Sequence, residues 1–212
     1  MVSYGIEPAP ERRKGTTWRE FLQAHWDVLA AADFFTVEVW TATGLTRYVV
    51  LSAIELATRR VHIAGITAAP DSAWVVQCSR QLTDAADGFL VGKRFLLHDR
   101  DPLFTATFRE TLAAVGVETV RLPPKSPNLN AFAERFVRSI KESCLDRLIL
   151  VGDASLRRAV REFVTHYHEE RNHQGLGNVL IFPARDHKPV PERVVCRQRL
   201  GGLLKYYHRS AA

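Results

Sequence analysis

Asp33-Phe-Phe-Thr-Val-Glu-Val-Trp40 is a dense run of β-branched and aromatic residues, and it reads as a strand. Tyr48 to Glu55 and Val61 to Ile66 read the same way, with Gly44 near the first turn and Thr58-Arg59-Arg60 at the second. Three strands in such close succession make an antiparallel meander. Downstream the period changes. Trp74, Val75, Cys78, Leu82 and Ala85 follow helical spacing until Gly88. Phe95-Leu96-Leu97 is a short strand ending at His98-Asp99, Leu103 to Val115 a helix closed by Gly116, and Val117 to Leu122 another strand. Pro123, Pro124 and Pro127 force a loop. Helices are expected from Ala131 to Leu148 and from Ala154 to Arg171. Upstream, Trp18, Phe21, Leu22, Trp26, Leu29 and Ala30 predict one helix over Thr17 to Ala32. The resulting order predicts an α/β fold: a mixed five-stranded sheet flanked by helices.

Composition agrees with a folded chain. Of 212 residues, 46% are hydrophobic and 25% charged, which excludes a disordered polymer. Three scattered cysteines without a CxxC pair exclude a disulfide scaffold and a thiolate zinc site, and point to a reducing compartment. No apolar run is long enough for a membrane span, and Met1 to Lys14 lacks the apolar core of a signal peptide. The expected location is the cytoplasm.

The net charge of +6 is unevenly spread. From Arg185 onward, seven basic residues face Asp186 and Glu192, so the last segment carries +5 of the total. A basic tail suggests a polyanionic partner. Val194 to Leu200, then Gly201-Gly202 and a second apolar run, predict a small β hairpin lying outside the main core.

Three carboxylates fall where sheet, loop and helix termini meet: Asp33 on the first strand, Asp99 just past the fourth, and Glu134 in the first turn after the proline loop. Oxygen ligands from three elements suit hard divalent cations, and a metal pair can clamp both oxygens of a phosphoryl displacement. Each acid taken singly is more commonly a surface charge. His166, His168 and His173 do not form an alternative metal cluster, because residues two apart point to different faces of a helix.

The chain resembles the catalytic core of the retroviral-integrase and insertion-sequence transposase superfamily, a DDE-type RNase H-like fold, over about Ala31 to Asn178. Asp33-Phe-Phe-Thr-Val with Ile54-Glu-Leu-Ala-Thr-Arg-Arg-Val is similar to the family's first hairpin. His98-Asp-Arg-Asp-Pro-Leu-Phe104 stands in place of [ST]-D-N-G-x-x-F. Pro124-Lys-Ser-Pro-Asn-Leu-Asn-Ala-Phe-Ala-Glu-Arg-Phe136 resembles P-x-S-P-x-x-N-[AG]-x-x-E-R-F, and His166 to Leu176 resembles a closing Y-N-x-x-R-P-H-x-x-L.

The resemblance implies a transposase or integrase performing metal-dependent DNA cleavage and strand transfer, the reactions of DNA integration and transposition. It makes Asp33, Asp99 and Glu134 the catalytic and metal-binding residues of a two-metal Mg²⁺ site in which Mn²⁺ substitutes. The alternative is a catalytically inactive DNA-binding remnant or domesticated fragment. Residues 1–30 are expected to form a leader and helix, 31–178 the catalytic core, and 179–212 a basic tail or β appendage. Glu134, Arg138 and Lys141 share one helix face, so Arg138 and Lys141 are candidate DNA-phosphate contacts, with Lys125 and Asn130 behind them. The implied partners are transposon-end and target DNA and further copies of the chain, with no membrane. About thirty residues precede Asp33, so recognition of the DNA ends is expected from a separate domain or partner.

Overall fold

Leu29-Ala-Ala-Ala32 organises the sheet, as the first four residues of its central strand. In the computed structural model, which describes residues 18–123, 130–183 and 194–209, strand β1 spans Leu29–Thr41. β2 (Gly44–Glu55) and β3 (Val61–Thr67) follow as antiparallel neighbours. β4 (Phe95–His98) runs parallel to the start of β1, and β5 (Glu118–Arg121) parallel to β4. The order β3-β2-β1-β4-β5 gives the expected mixed five-stranded sheet. Helices α1 (Trp18–His25), α4 (Ala131–Ser143) and α5 (Gly152–Glu169) supply one core, and α2 (Ser72–Leu82) and α3 (Ala106–Ala113) the other. Among the described residues, no helix is long and apolar enough to cross a membrane.

Alternation along β1 explains the two layers. Leu29, Ala31, Phe35, Val37 and Val39 join the core that contains Phe136, Ile140 and Phe163. Ala30 and Ala32 enter the core containing Val75, Phe108 and Leu112. β4 pairs only with Leu29 to Ala31, so the second half of β1 is covered on one side, and Thr36, Glu38 and Trp40 are exposed.

This arrangement corrects the helix expected over Thr17 to Ala32. Helix α1 stops at His25, a 3₁₀ turn covers Trp26–Val28, and Leu29 already begins β1. A strand buried on both faces shows no polar alternation, so its apolar run looked like a continuation of the helical stripe. Two further helices are shorter than expected. α4 ends at Ser143, followed by a 3₁₀ turn at Leu145–Arg147, and Trp40 N then donates to Leu150 O at 2.9 Å. α3 starts at Ala106 because its preceding turn is held separately: Asp101 Oδ1 accepts from Leu103 N at 2.8 Å, and Thr105 Oγ1 caps Phe108 N at 3.2 Å.

The chain ends in the expected hairpin, β6 (Val194–Arg199) paired with β7 (Leu204–Arg209). It is not outside the core. Leu204 is buried among the residues around Phe163, and Leu200 packs against them. Arg199 donates to the Glu170 carboxylate from Nε at 2.9 Å and Nη2 at 2.8 Å, and to Glu162 from Nη1 at 2.8 Å. Arg197 Nη1 reaches Glu170 at 3.4 Å, and His166 Nδ1 lies 3.0 Å from it. Burial alone would raise the Glu170 carboxyl, but the bonds from Arg199 and His166 outweigh it and hold its pKa down at about 2.

Removing Arg199 leaves a buried carboxylate short of its main partner. Arg199→Ala should lower the unfolding free energy by roughly 3 kcal/mol at pH 7, read from urea denaturation. A depressed folded pKa contributes stability above the unfolded value of 4.5, and that contribution is lost as pH falls toward about 2. The difference between wild type and variant should therefore close over that interval.

Candidate active site

Asp33 and Asp99 occupy matching positions on neighbouring strands. The parallel pairing of β1 with β4 ends at Ala31 opposite Leu97, and each acid lies two residues further on. By alternation Asp33 points to the side of Ala31 and Phe35, the face that α4 covers. The N-terminus of α4 is tied to this point: Asn130 Nδ2 donates to Ala32 O at 3.3 Å, and Glu134 follows in the first turn. From the other side, Ser52 Oγ donates to Asp33 O at 3.2 Å. The peptides on both sides of the Asp33 Cα are thus held.

Electrostatics report the convergence. Burial, then the charges of Asp99 and Glu134, raise the Asp33 pKa from 3.8 to about 7, against a lowering backbone hydrogen bond from Phe34. Asp101 adds the smallest effect, behind that of Asp99. The Asp101 side chain is committed locally, accepting from Leu103 N, while Asp99 is exposed and accepts from Asp101 N at 3.0 Å. Of the two neighbouring acids, Asp99 is the one coupled more strongly to Asp33. Among the described residues, no three His, Cys, Asp or Glu side chains are close enough together to hold a metal ion. Asp33 feels the charges of Asp99 and Glu134, but the three carboxylates are not close enough to share an ion as they stand.

The residue before Asp99 is also informative. His98 is 2% exposed, its ring lies 4.5 Å from that of Phe104, and its Nδ1 is 2.6 Å from Asp99 O. Burial lowers its pKa, so the ring is neutral, and an Nδ1–H donor fixes the backbone at Asp99.

The proposed DNA contacts divide. Arg138 is exposed on α4. Lys141 is half-buried, its Nζ 6.0 Å from the centre of the Phe35 ring, in a recess of about 300 Å³ shared with Glu38 and Asp146. Asn130 is corrected: at 5% exposure it faces inward and holds β1, not a DNA strand. Lys125 lies outside the described residues. The three histidines have different hydrogen-bond partners. His168 Nε2 accepts from Val61 N at 2.9 Å, His173 Nε2 is 2.7 Å from Tyr167 O, and His166 bonds Glu170. Sequence reading missed Ser52 and the inward role of Asn130, since neither contact has a local spacing signal.

Residues 115–179 match the integrase core domain family. No curated protein matches the chain. Among solved structures, the HTLV-2 integrase catalytic core domain in its trimeric form is similar at 14% identity and a TM-score of 0.50, covering 72% of this chain and 92% of that one. The simian T-cell lymphotropic virus intasome is similar at 14% identity and a TM-score of 0.50, over 85% of this chain and 66% of that one. The fold is therefore that of integrase catalytic cores, an RNase H-like architecture. The family match is confined to residues 115–179, so it is this segment and the fold that are similar to integrase cores.

The charge crowding at Asp33 has a measurable consequence. An acid whose folded pKa is raised costs nothing below its unfolded value of 3.8, costs progressively more as pH rises, and costs most above about 7. Asp33→Asn should stabilise the metal-free protein above pH 7 by about 1–2 kcal/mol, allowing for solvent screening at this half-buried position. In thermal denaturation this gain should vanish near pH 4.

Proposed function

We propose that this chain is a DNA-transesterifying recombinase, an integrase or transposase core that cleaves DNA and transfers a strand to a phosphodiester. The observation that carries the reading is the coupling of Asp33 to Asp99 and Glu134 across two strands and a helix. The donor set suits divalent cations: three carboxylates, one of which, Asp33, has its pKa raised to about 7 by burial and by the other two, so that a cation would relieve the repulsion. Asp33, Asp99 and Glu134 are the residues that would hold Mg²⁺ or Mn²⁺. Bound there, the metals would activate an attacking oxygen and neutralise charge on the phosphate. The HTLV-2 relative is described in complex with magnesium, which supports this assignment.

The chain's own residues position and orient. Asn130 and Ser52 fix the backbone around Asp33, and His98 fixes the turn at Asp99. In the transfer, a water or DNA 3′ hydroxyl oxygen forms a bond to phosphorus as the bond to the departing 3′ oxygen breaks. No covalent enzyme intermediate is needed. Residues 31–178 would be the catalytic core, and 179–212 a basic tail or small β appendage whose hairpin β6–β7 packs on the core. The simian viral relative is described as an intasome, which supports assembly of several copies on DNA, with end recognition by a further domain or partner.

A strand-transfer assay using the DNA ends that flank its own gene, with Mn²⁺, tests the reading. Wild type should join a labelled 3′ end to target DNA, and Asp33→Asn and Glu134→Gln should give no product while still binding DNA. Metal-dependent product from Asp33→Asn would overturn the assignment; DNA binding without product from wild type would favour the inactive remnant. Separately, Arg138→Ala should reduce the slope of log K against log salt by about 0.9, one phosphate contact on duplex DNA. Lys141→Ala should change it less, because Glu38 and Asp146 already share its recess.

A further inference from the structure

Three arginines far apart in sequence meet in one recess beside α4. Arg59 comes from the turn between β2 and β3, Arg135 from α4 and Arg171 from just past the end of α5; together they line a cavity of about 330 Å³. Ser139, Asn172 and Asn178 add hydrogen-bonding groups, and among the described residues no Asp or Glu lines it. Among the described residues none of the three arginines takes part in an ion pair. Arginines elsewhere do: Arg60 with Glu55, Arg157 with Asp153 and Arg199 with Glu170.

Arg59 is held by the turn and by two aromatic faces. Its backbone is left-handed, with φ of 64°, a conformation that costs a non-glycine residue about 1 kcal/mol. Its guanidinium carbon sits 3.8 Å from the centre of the Phe132 ring and 5.3 Å from that of Trp26. Nη1 is buried without a hydrogen-bond partner among the described residues. Burial lowers its pKa and Arg135 lowers it further, with Tyr167 opposing. A guanidinium held against aromatic faces with an unsatisfied N–H donor, beside two further arginines, matches the bidentate geometry of a phosphate.

We propose that the Arg59–Arg135–Arg171 recess is a second DNA contact, a pocket that takes a backbone phosphate of the strand engaged at the carboxylates. The proposal rests on the recombinase reading and extends it to a site that makes no use of metal. Placement favours it. Arg135 follows Glu134 directly on α4, about 100° around the helix axis. Ile54, which lines the recess, is two residues from Ser52, the partner of Asp33, or about 7 Å along β2. A strand lying at the carboxylates therefore reaches the recess within a few nucleotides. Arg138 lies between the two positions around the helix, so the basic surface is continuous.

The test uses the full chain carrying Asp33→Asn, so that binding is read without chemistry. Arg135→Gln with Arg171→Gln should weaken binding of a duplex oligonucleotide by about fivefold or more at 0.1 M salt and reduce the salt slope by about 0.9, with an unchanged melting temperature. Arg80→Gln, an exposed arginine on α2 in the opposite layer, should change neither by as much. Arg135→Lys with Arg171→Lys should recover part of the affinity. Equal losses from the recess variant and from Arg80→Gln, or no loss from the recess variant, would overturn the proposal. Tight binding of inorganic phosphate with an unchanged DNA slope would also overturn it, identifying a small-anion site. These outcomes are independent of whether wild type forms strand-transfer product, so failure of the pocket and failure of the recombinase reading are separable.

Discussion

Ala30, Ala31 and Ala32 are 1% exposed or less, and the distance between the two helical layers is set by how little room these side chains take. Larger residues at the centre of β1 would push α2 and α3 away on one side or α4 on the other. With alanines there, Phe108 and Phe136 fill the two layers as fully buried side chains. Close approach of α4 lets Asn130 reach the Ala32 carbonyl, and that bond sets the depth at which Glu134 starts the helix. The acids of the candidate site are thus positioned by small apolar residues that have no chemistry of their own.

How much of this could be read from the sequence depends on the range of the signal. The hairpin β1–β2 and strand β3 were legible as dense runs of β-branched and aromatic residues bounded by turn signals at Gly44 and Thr58-Arg59-Arg60. Leu29 to Ala32 were not, because burial on both faces erases the alternation. The three acids could be proposed from a motif and from their places at element ends, but their mutual effect on Asp33 is a property of the assembled sheet. Asn130 looked like a loop residue free to meet DNA; its inward bond depends on a carbonyl 98 residues away. The grouping of Arg59, Arg135 and Arg171 leaves no spacing pattern at all, since it joins a turn, a helix and a segment past another helix.

The charge on the last segment also changes meaning once folded. Its sequence suggested a free polycation. Arg197 and Arg199 instead neutralise Glu170, and Arg199 also meets Glu162, so part of that charge is consumed in docking the hairpin. The hairpin's contribution is then largely to close the end of the core around Leu204. Arg59, Arg135 and Arg171, by contrast, take part in no ion pair among the described residues.

The fold accepts an unfavourable electrostatic arrangement at Asp33 and meets it with backbone restraint. Ser52 and Asn130 hold consecutive carbonyls, those of Asp33 and Ala32, from opposite sides of the strand. Repulsion among the carboxylates can then rotate side chains but cannot displace the strand that bears the most buried one. Flexibility is left to Asp99, which is exposed, and to the side chain of Glu134, which is half-buried. The arrangement keeps one carboxylate fixed and leaves two free to adjust, which is the property the proposed cation site would require.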